Sequence, residues 1–119
     1  MFTLAFDRHH RILLTRVSGV VGSGDVAAMD DAIQRFTARH GPTHDLMDFT
    51  AISTVAVPIG KLVPPPANGS GYKRIFVANG RLVELARTGA PASVIVPSID
   101  EALRRLGATD PSFEPVDPS

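Results

Sequence analysis

The sequence predicts a single α/β domain with a mainly parallel five-stranded sheet and an antiparallel first strand. Short apolar runs typical of strands alternate with segments of helical periodicity. The first two runs are separated by only a few polar residues, as in an antiparallel hairpin. Alternating strands and helices require crossover connections, and therefore a largely parallel sheet. The predicted element order is β-β-α-β-α-β-α-β-α, and the sequence leaves the strand order open.

The first half of the chain gives a hairpin and a long helix. Apolar residues alternate over residues 2–6, and residues 12–17 form a second apolar run after a polar turn. Ser23 or Asp25 is expected to cap the following helix, since an oxygen there accepts a free first-turn N–H. Gly41 and the proline after it end the helix.

The centre of the predicted sheet is a short buried strand over residues 46–49. It is expected to run into a loop of small residues, 50–54, at the end of the strand where open α/β sheets usually place their chemistry. Pro58 fits a first helical turn, so residues 58–63 are expected to form a short helix. Residues 64–71, rich in proline and glycine, are expected to form a mobile loop.

The second half predicts two more strand–helix units. Residues 75–78 and 94–96 are continuous apolar runs, as expected of strands covered on both faces. Asn79 is expected to cap the helix after the first of them, and Gly89 to end it. Ser98 and Glu101 predict a capping box. The Ser98 hydroxyl accepts a first-turn N–H of the helix, and the Glu101 carboxylate accepts the backbone N–H of Ser98.

The predicted domain therefore covers residues 1–107. Gly107 is expected to stop the last helix. Residues 108–119 are dominated by Asp, Pro and Ser, so they are expected to be a disordered C-terminal tail.

Composition excludes several kinds of function. The 12 basic and 12 acidic side chains cancel, which argues against a nucleic-acid partner. The absence of cysteine excludes thiolate metal sites and thiol nucleophiles. No leader pattern and no apolar run of membrane-spanning length is present, so a cytoplasmic domain without an integral membrane segment is expected. Zero net charge does not oppose self-association, which leaves a homodimer possible.

In this order the elements resemble the STAS family, named for sulfate transporters and anti-sigma-factor antagonists. More closely they resemble bacterial proteins of little-known function that share its fold and its similarity to CRAL-TRIO lipid carriers. The resemblance covers residues 2–107. It rests on the Val-Ser-Gly break at residues 17–19, on Leu-Met-Asp-Phe-Thr at 46–50 and on the closing helix at 98–106. It implies the fold and the non-catalytic binding of a partner.

The resemblance also implies a test for a phosphoswitch. Phosphorylatable members carry Asp-Ser-Ser-Gly after the central strand, and a kinase partner modifies a serine there. Aligned from Asp48, the equivalent residues 56–59 contain no hydroxyl. Ser53 and Thr54 lie just upstream and are candidates for phosphorylation, although hydroxyls in such positions more often cap or turn a loop.

An anion or partner site is predicted at the rim where the strands end. Asn79, Gly80 and Arg81 open a helix after a buried strand, and an arginine beside free N–H groups suits an anion. A capped helix with a solvated arginine is the simpler alternative. Together with the neighbouring loop, the predicted binding residues are Thr50, Ser53, Thr54, Asn79, Gly80 and Arg81.

The remaining candidates are weaker. The four histidines, with Asp45 or Asp48, match no metal-ligand spacing. His9 and His10 are expected in the hairpin turn, and adjacent strand residues point to opposite faces, which works against joint ligation. Residues 22–25 precede a helix as phosphate-binding turns do, but they lack the glycines or lysine of the known motifs. No metal site and no cofactor is predicted.

Three functions follow, in order of preference. The first is a non-catalytic STAS-like binding or regulatory module for a protein partner or a small apolar or anionic ligand. The second is a lipid or hydrophobic-ligand carrier, with Leu62, Val63 and Phe76 bordering an internal cavity. The third is a small enzyme that uses His40 or His44 beside a hydroxyl.

Overall fold

The computed structural model describes residues 1–58, 72–80, 82–84 and 94–117. Gly80 and residues 82–84 are helical. The bounds of the other elements, in chain order, are β1 (Phe2–Asp7), β2 (Ile12–Val21), α1 (Ser23–His40), β3 (His44–Val55), β4 (Arg74–Val77), β5 (Val94–Val96), α2 (Ile99–Arg105) and β6 (Glu114–Val116).

The strands form one six-stranded sheet in the order β5-β4-β3-β2-β1-β6. All pairings from β2 to β5 are parallel, and β1 is antiparallel to both of its neighbours. The register aligns Leu14, Leu46, Ile75 and Val94 across four strands. The predicted α/β class, the parallel sheet and the antiparallel first strand are therefore confirmed.

The sixth strand is a correction to the predicted five. Glu114–Val116 lies in the segment expected to be a disordered tail, yet it pairs antiparallel with β1. Phe113 and Val116 explain the pairing, since each packs against one of the two buried clusters. Pro115 has no N–H to donate, which an edge strand tolerates. High Pro and Asp content therefore did not distinguish an edge strand from disorder here.

Both faces of the sheet are covered. Among the described residues, eleven form one buried cluster under α1, and Met29, Ile33 and Phe36 of the helix supply its inner stripe. The face under α2 buries a second cluster that contains Ala102 of the helix. Strands buried on both sides are expected to be continuously apolar. The core is therefore two layers, one on each face of the sheet.

Two strands are longer than predicted. Gly19 was expected to break β2, but it adopts a φ of +75° at a register shift and the strand continues to Val21. Residues 50–54 were expected to be a loop, but β3 continues through them to Val55, paired with β2. At both register shifts the extra residue lies in β3, and such a bulge bends a strand without ending it.

The helix ends follow the sequence in part. Gly22, rather than Ser23 or Asp25, is the N-cap of α1, and the Asp25 carboxylate accepts the Gly22 N–H at 2.8 Å. The Ser98 hydroxyl accepts the Glu101 N–H at 3.2 Å, as predicted.

The second half of the predicted capping box is wrong. The Glu101 carboxylate pairs with Arg104 and Arg105 of its own helix, at 2.9 and 3.5 Å, instead of returning to the cap. Residues 59–71 and the predicted helix stop at Gly89 lie outside the described residues.

Candidate functional site

Four of the predicted binding residues line one cleft. Its volume is about 520 Å³, within the range of ligand sites. Three polar side chains from the end of β3 and the chain just after β4, those of Ser53, Thr54 and Asn79, line it together with Gly80. All four residues are exposed.

The sheet topology brings these residues together. β3 and β4 are adjacent and parallel, so their carboxyl ends meet at the same edge of the sheet. β4 pairs with β3 only along Asp45 to Asp48, so the last residues of β3 extend beyond β4. The chain leaving β4 is fixed to the neighbouring strand, because the Ala78 N–H donates to the Val96 carbonyl at 3.1 Å. Asn79 follows at once and faces the projecting part of β3.

The rest of the described lining is apolar and was missed by the sequence reasoning. Ile52, Val55 and Leu82 line the cleft and also pack against the core cluster under α1. The signal was present, because Ile-Ser-Thr-Val is rich in β-branched residues, which favour a strand over a loop. The cleft therefore joins a packed apolar floor to hydroxyl and amide groups at its rim.

The chemistry of the lining suits binding. Hydroxyl and amide side chains both donate and accept hydrogen bonds, so they can match peptide groups or a polar ligand. Among the described residues that line the cleft, none is ionisable. Proton transfer needs a positioned acid or base within hydrogen-bond reach of the substrate.

Two predicted site residues stand apart. Thr50 is not among the described residues that line the cleft. Its hydroxyl donates to Oδ1 of Asp48 at 2.7 Å and its N–H donates to the same oxygen at 3.0 Å. Arg81 lies outside the described residues.

None of the four histidines lines the cleft. His9 and His10 lie in the β1–β2 turn with their rings 4.7 Å apart, so the expectation that they point to opposite faces is wrong. Both residues lie in the turn, as predicted, but the alternation of strand side chains does not apply there. His40 stacks on Phe36 at the end of α1, with ring centroids 4.3 Å apart. Within the described ranges, no three His or acidic side chains are grouped as metal ligands.

His44 lies at the amino end of β3, the end opposite the cleft. Its Nδ1 accepts the Lys73 N–H, and its ring lies 4.9 Å from that of Tyr72. Beside it, Asp45 pairs with Arg74 at 3.2 Å and accepts the Thr43 hydroxyl at 3.2 Å. Burial raises the pKa of Asp45, although the charge of Arg74 opposes the shift. These contacts tie β3 to β4 where the two strands begin.

Phe76, predicted to border an internal cavity, lies in the core cluster under α1. It is buried beside Phe49, with ring centroids 5.6 Å apart. Leu62 and Val63, the other predicted cavity residues, lie outside the described residues.

Comparison with known proteins places the fold. No protein-family model matches the sequence, and no curated protein matches it significantly. Among solved structures, it is similar to an anti-sigma factor antagonist from Mycobacterium paratuberculosis, with a TM-score of 0.60 and 20% identity. The match covers 89% of this chain and 93% of that one. The chain has a STAS-like fold.

A second solved structure agrees with the STAS-like assignment. It is an uncharacterized protein of the DUF3478 family from Shewanella loihica PV-4, described as having a SpoIIAA-like fold. The TM-score is 0.56 at 14% identity, over 89% of this chain and 92% of that one. Within the described part of the STAS-like chain, no helix is long and apolar enough to cross a bilayer.

Proposed function

We propose that this chain is a non-catalytic, STAS-like regulatory module that binds a protein partner at the cleft between β3 and the chain after β4. The observation that carries the proposal is the convergence of Ser53, Thr54, Asn79 and Gly80 on one open cleft. These residues come from two parts of the chain that meet only in the folded protein. The fold supports a regulatory role, since one similar structure is an anti-sigma factor antagonist.

A protein partner suits the shape and chemistry of the cleft. The cleft combines an apolar floor with neutral hydrogen-bonding groups, which is the composition of ordinary protein interfaces. Its three polar side chains are all exposed, and β3 carries two of them beyond the end of β4. A partner segment laid across the cleft therefore meets Ile52, Val55 and Leu82 below and the hydroxyls at the side.

Phosphorylation of Ser53 or Thr54 stays a prediction. If the cleft binds a partner, phosphorylation there would affect that binding. A phosphate would add about two negative charges to a cleft whose described lining carries none. A partner that packs against the apolar floor would then have to bury that charge, at a large cost in free energy. Modification of either hydroxyl is therefore expected to release the partner.

The test compares partner capture by two matched variants. Thr54→Arg places a bulky charge in the cleft, whereas Thr109→Arg places the same charge on an exposed residue outside it. Both variants and the wild-type chain are used to capture proteins from the source cells, and the captured proteins are quantified by mass spectrometry. A partner retained by Thr109→Arg and reduced at least about tenfold by Thr54→Arg supports the proposal. Equal capture by both variants would show that the cleft is not the binding surface.

A further inference from the structure

A second hollow lies on the sheet face opposite the cleft. It is a groove of about 370 Å³ over β1 and β2, beside β6. The cleft residues Ile52 and Leu82 pack with the cluster under α1, whereas Ala5 and Phe113 of the groove pack with the cluster under α2. The two hollows are therefore separate, and one can be filled or blocked without the other.

The groove arises because a small residue lies between larger ones. Ala5 pairs with Leu14 of β2 on one side and with Pro115 of β6 on the other. Directly paired residues share a face of the sheet, so the three side chains form a row with the shortest in the middle. Phe113, just before β6, also lines the groove. The single methyl group of Ala5 cannot fill the space between its larger neighbours, and the apolar groove remains.

One cation lies at the end of this groove. Thr3 pairs with Arg16, two residues along from Ala5 and Leu14 and on the same face. The Arg16 side chain is 64% exposed. Within the described part of the chain its ionic partner is Asp48, whose Oδ2 lies 3.8 Å from Nε, too far for a hydrogen bond. The guanidinium donors therefore remain available to a ligand beside the apolar surface.

We propose that this groove binds a medium-chain monocarboxylate. The alkyl chain lies over Ala5, Leu14 and Phe113, and the carboxylate accepts hydrogen bonds from Arg16 and the Thr3 hydroxyl. A guanidinium matches a carboxylate with two parallel N–H donors, which fixes the head group and orients the chain. The groove volume is at the lower end of the range for small-ligand sites, which suits a single unbranched chain.

The charged side chains around the groove favour a ligand that carries one negative charge. Arg16 is the one cation among the described lining residues, and the Asp48 carboxylate lies just beyond it. A second negative charge on the ligand would have no cation to meet and would approach Asp48. A dicarboxylate or a phosphate dianion is therefore expected to bind more weakly than a monocarboxylate.

The test uses the full chain and sodium decanoate as the probe, followed by amide chemical shifts in a nuclear magnetic resonance titration. Saturable shifts are expected around Thr3, Arg16 and Phe113. Arg16→Gln removes the charged guanidinium and its two parallel N–H donors, and it is expected to weaken binding at least about tenfold. Arg8→Gln removes the same charge from an exposed turn outside the groove and is expected to leave the affinity within about twofold.

Filling the groove provides the second arm. Ala5→Phe is expected to abolish the chemical-shift changes. Ala5→Leu adds less volume, serves as the test if Ala5→Phe does not fold, and is expected to weaken binding strongly. Unchanged affinity in either folded variant, or no saturable shift with wild-type protein, would overturn the groove as the site. Equal binding of 1-decanol, which lacks the charge, would overturn the role of Arg16. A short peptide with an apolar C-terminal residue that binds about a hundredfold more tightly than decanoate would overturn the proposed occupant.

Discussion

The backbone N–H of Lys73 donates a 3.0 Å hydrogen bond to Nδ1 of His44. This contact joins the residue before β4 to the first residue of β3, and Nδ1 can accept it only while it carries no proton. Burial lowers the pKa of His44, the positive charge of Lys73 lowers it further, and Asp45 opposes the shift. The folded chain therefore prefers neutral His44.

This preference predicts an acid-sensitive stability. Because the folded pKa lies below the unfolded value of about 6.5, the contribution is fully present above that value and is lost as the pH falls toward the folded pKa. His44→Asn keeps an acceptor near the Nδ1 position and removes the titration. Urea unfolding between about pH 7.5 and 5.5 should show a smaller loss of free energy of unfolding in the variant. An identical pH dependence in both proteins would contradict the assignment.

Asp7 is predicted to be the most important polar residue of the β1–β2 turn. Its buried carboxylate accepts the N–H groups of His9 and His10 at 3.0 and 3.2 Å, and lies 2.7 Å from Nδ1 of His10. Asp7→Ala leaves these donors unpaired and should lower the free energy of unfolding by about 2 kcal/mol. Asp31→Ala, which breaks an exposed helical pair with Arg35, should cost less than about 0.5 kcal/mol.

The same carboxylate gives a second pH dependence. Burial raises the pKa of Asp7, but the hydrogen bonds and charge of His10, with the His9 N–H, outweigh burial and hold the pKa below its usual value. Its stabilising contribution is therefore present above the unfolded pKa of about 4 and is lost as the pH falls through the folded value. Wild-type protein and Asp7→Ala should become more alike in stability below about pH 4. A difference that does not shrink in acid would contradict this account.

The tail is predicted to stabilise the domain. Ala108 is buried, and Phe113 packs against the cluster that holds Ile12 and Leu14. Ending the chain at Gly107 removes these contacts and exposes the edge of β1, so the free energy of unfolding should fall by about 2–4 kcal/mol. Urea unfolding measures the change. Unchanged stability would support a disordered tail instead.

Two glycines are predicted to respond in opposite ways to alanine. Gly19 lies in β2 beside a register shift with β3 and has a φ of +75°, where a side chain is strained although no atom lies within 4 Å, so Gly19→Ala should cost about 1 kcal/mol. Gly24 lies in the first turn of α1, also with open space around it, so Gly24→Ala should add up to about 1 kcal/mol. Thermal unfolding of the two variants gives the comparison. A gain of stability in Gly19→Ala would show that β2 ends before Gly19.

More of the fold than of the candidate site could be predicted from the sequence. Helical spacing and the Gly41 stop located α1, since both are local signals. The small residues of 50–54 indicated a loop because sequence alone does not show that β2 offers them a paired edge. The edge position of Glu114–Val116 was hidden for the same reason, because pairing with β1 is a contact between distant parts of the chain.

The grouping of Ser53 with Asn79 could be expected from the rule that parallel strands end at a shared edge. The groove at Ala5 and Arg16 could not, since it depends on register across three strands. Register is set by tertiary pairing rather than by local pattern.

The central claim is that the cleft is a docking surface, and site-specific photo-crosslinking in the source cells tests it most directly. A photoreactive side chain is placed at Thr54, inside the cleft, and in a second protein at Thr109, outside it. Irradiation should give a discrete crosslinked protein from position 54 and none from position 109. The same crosslink at both positions, or none at position 54, would contradict the claim.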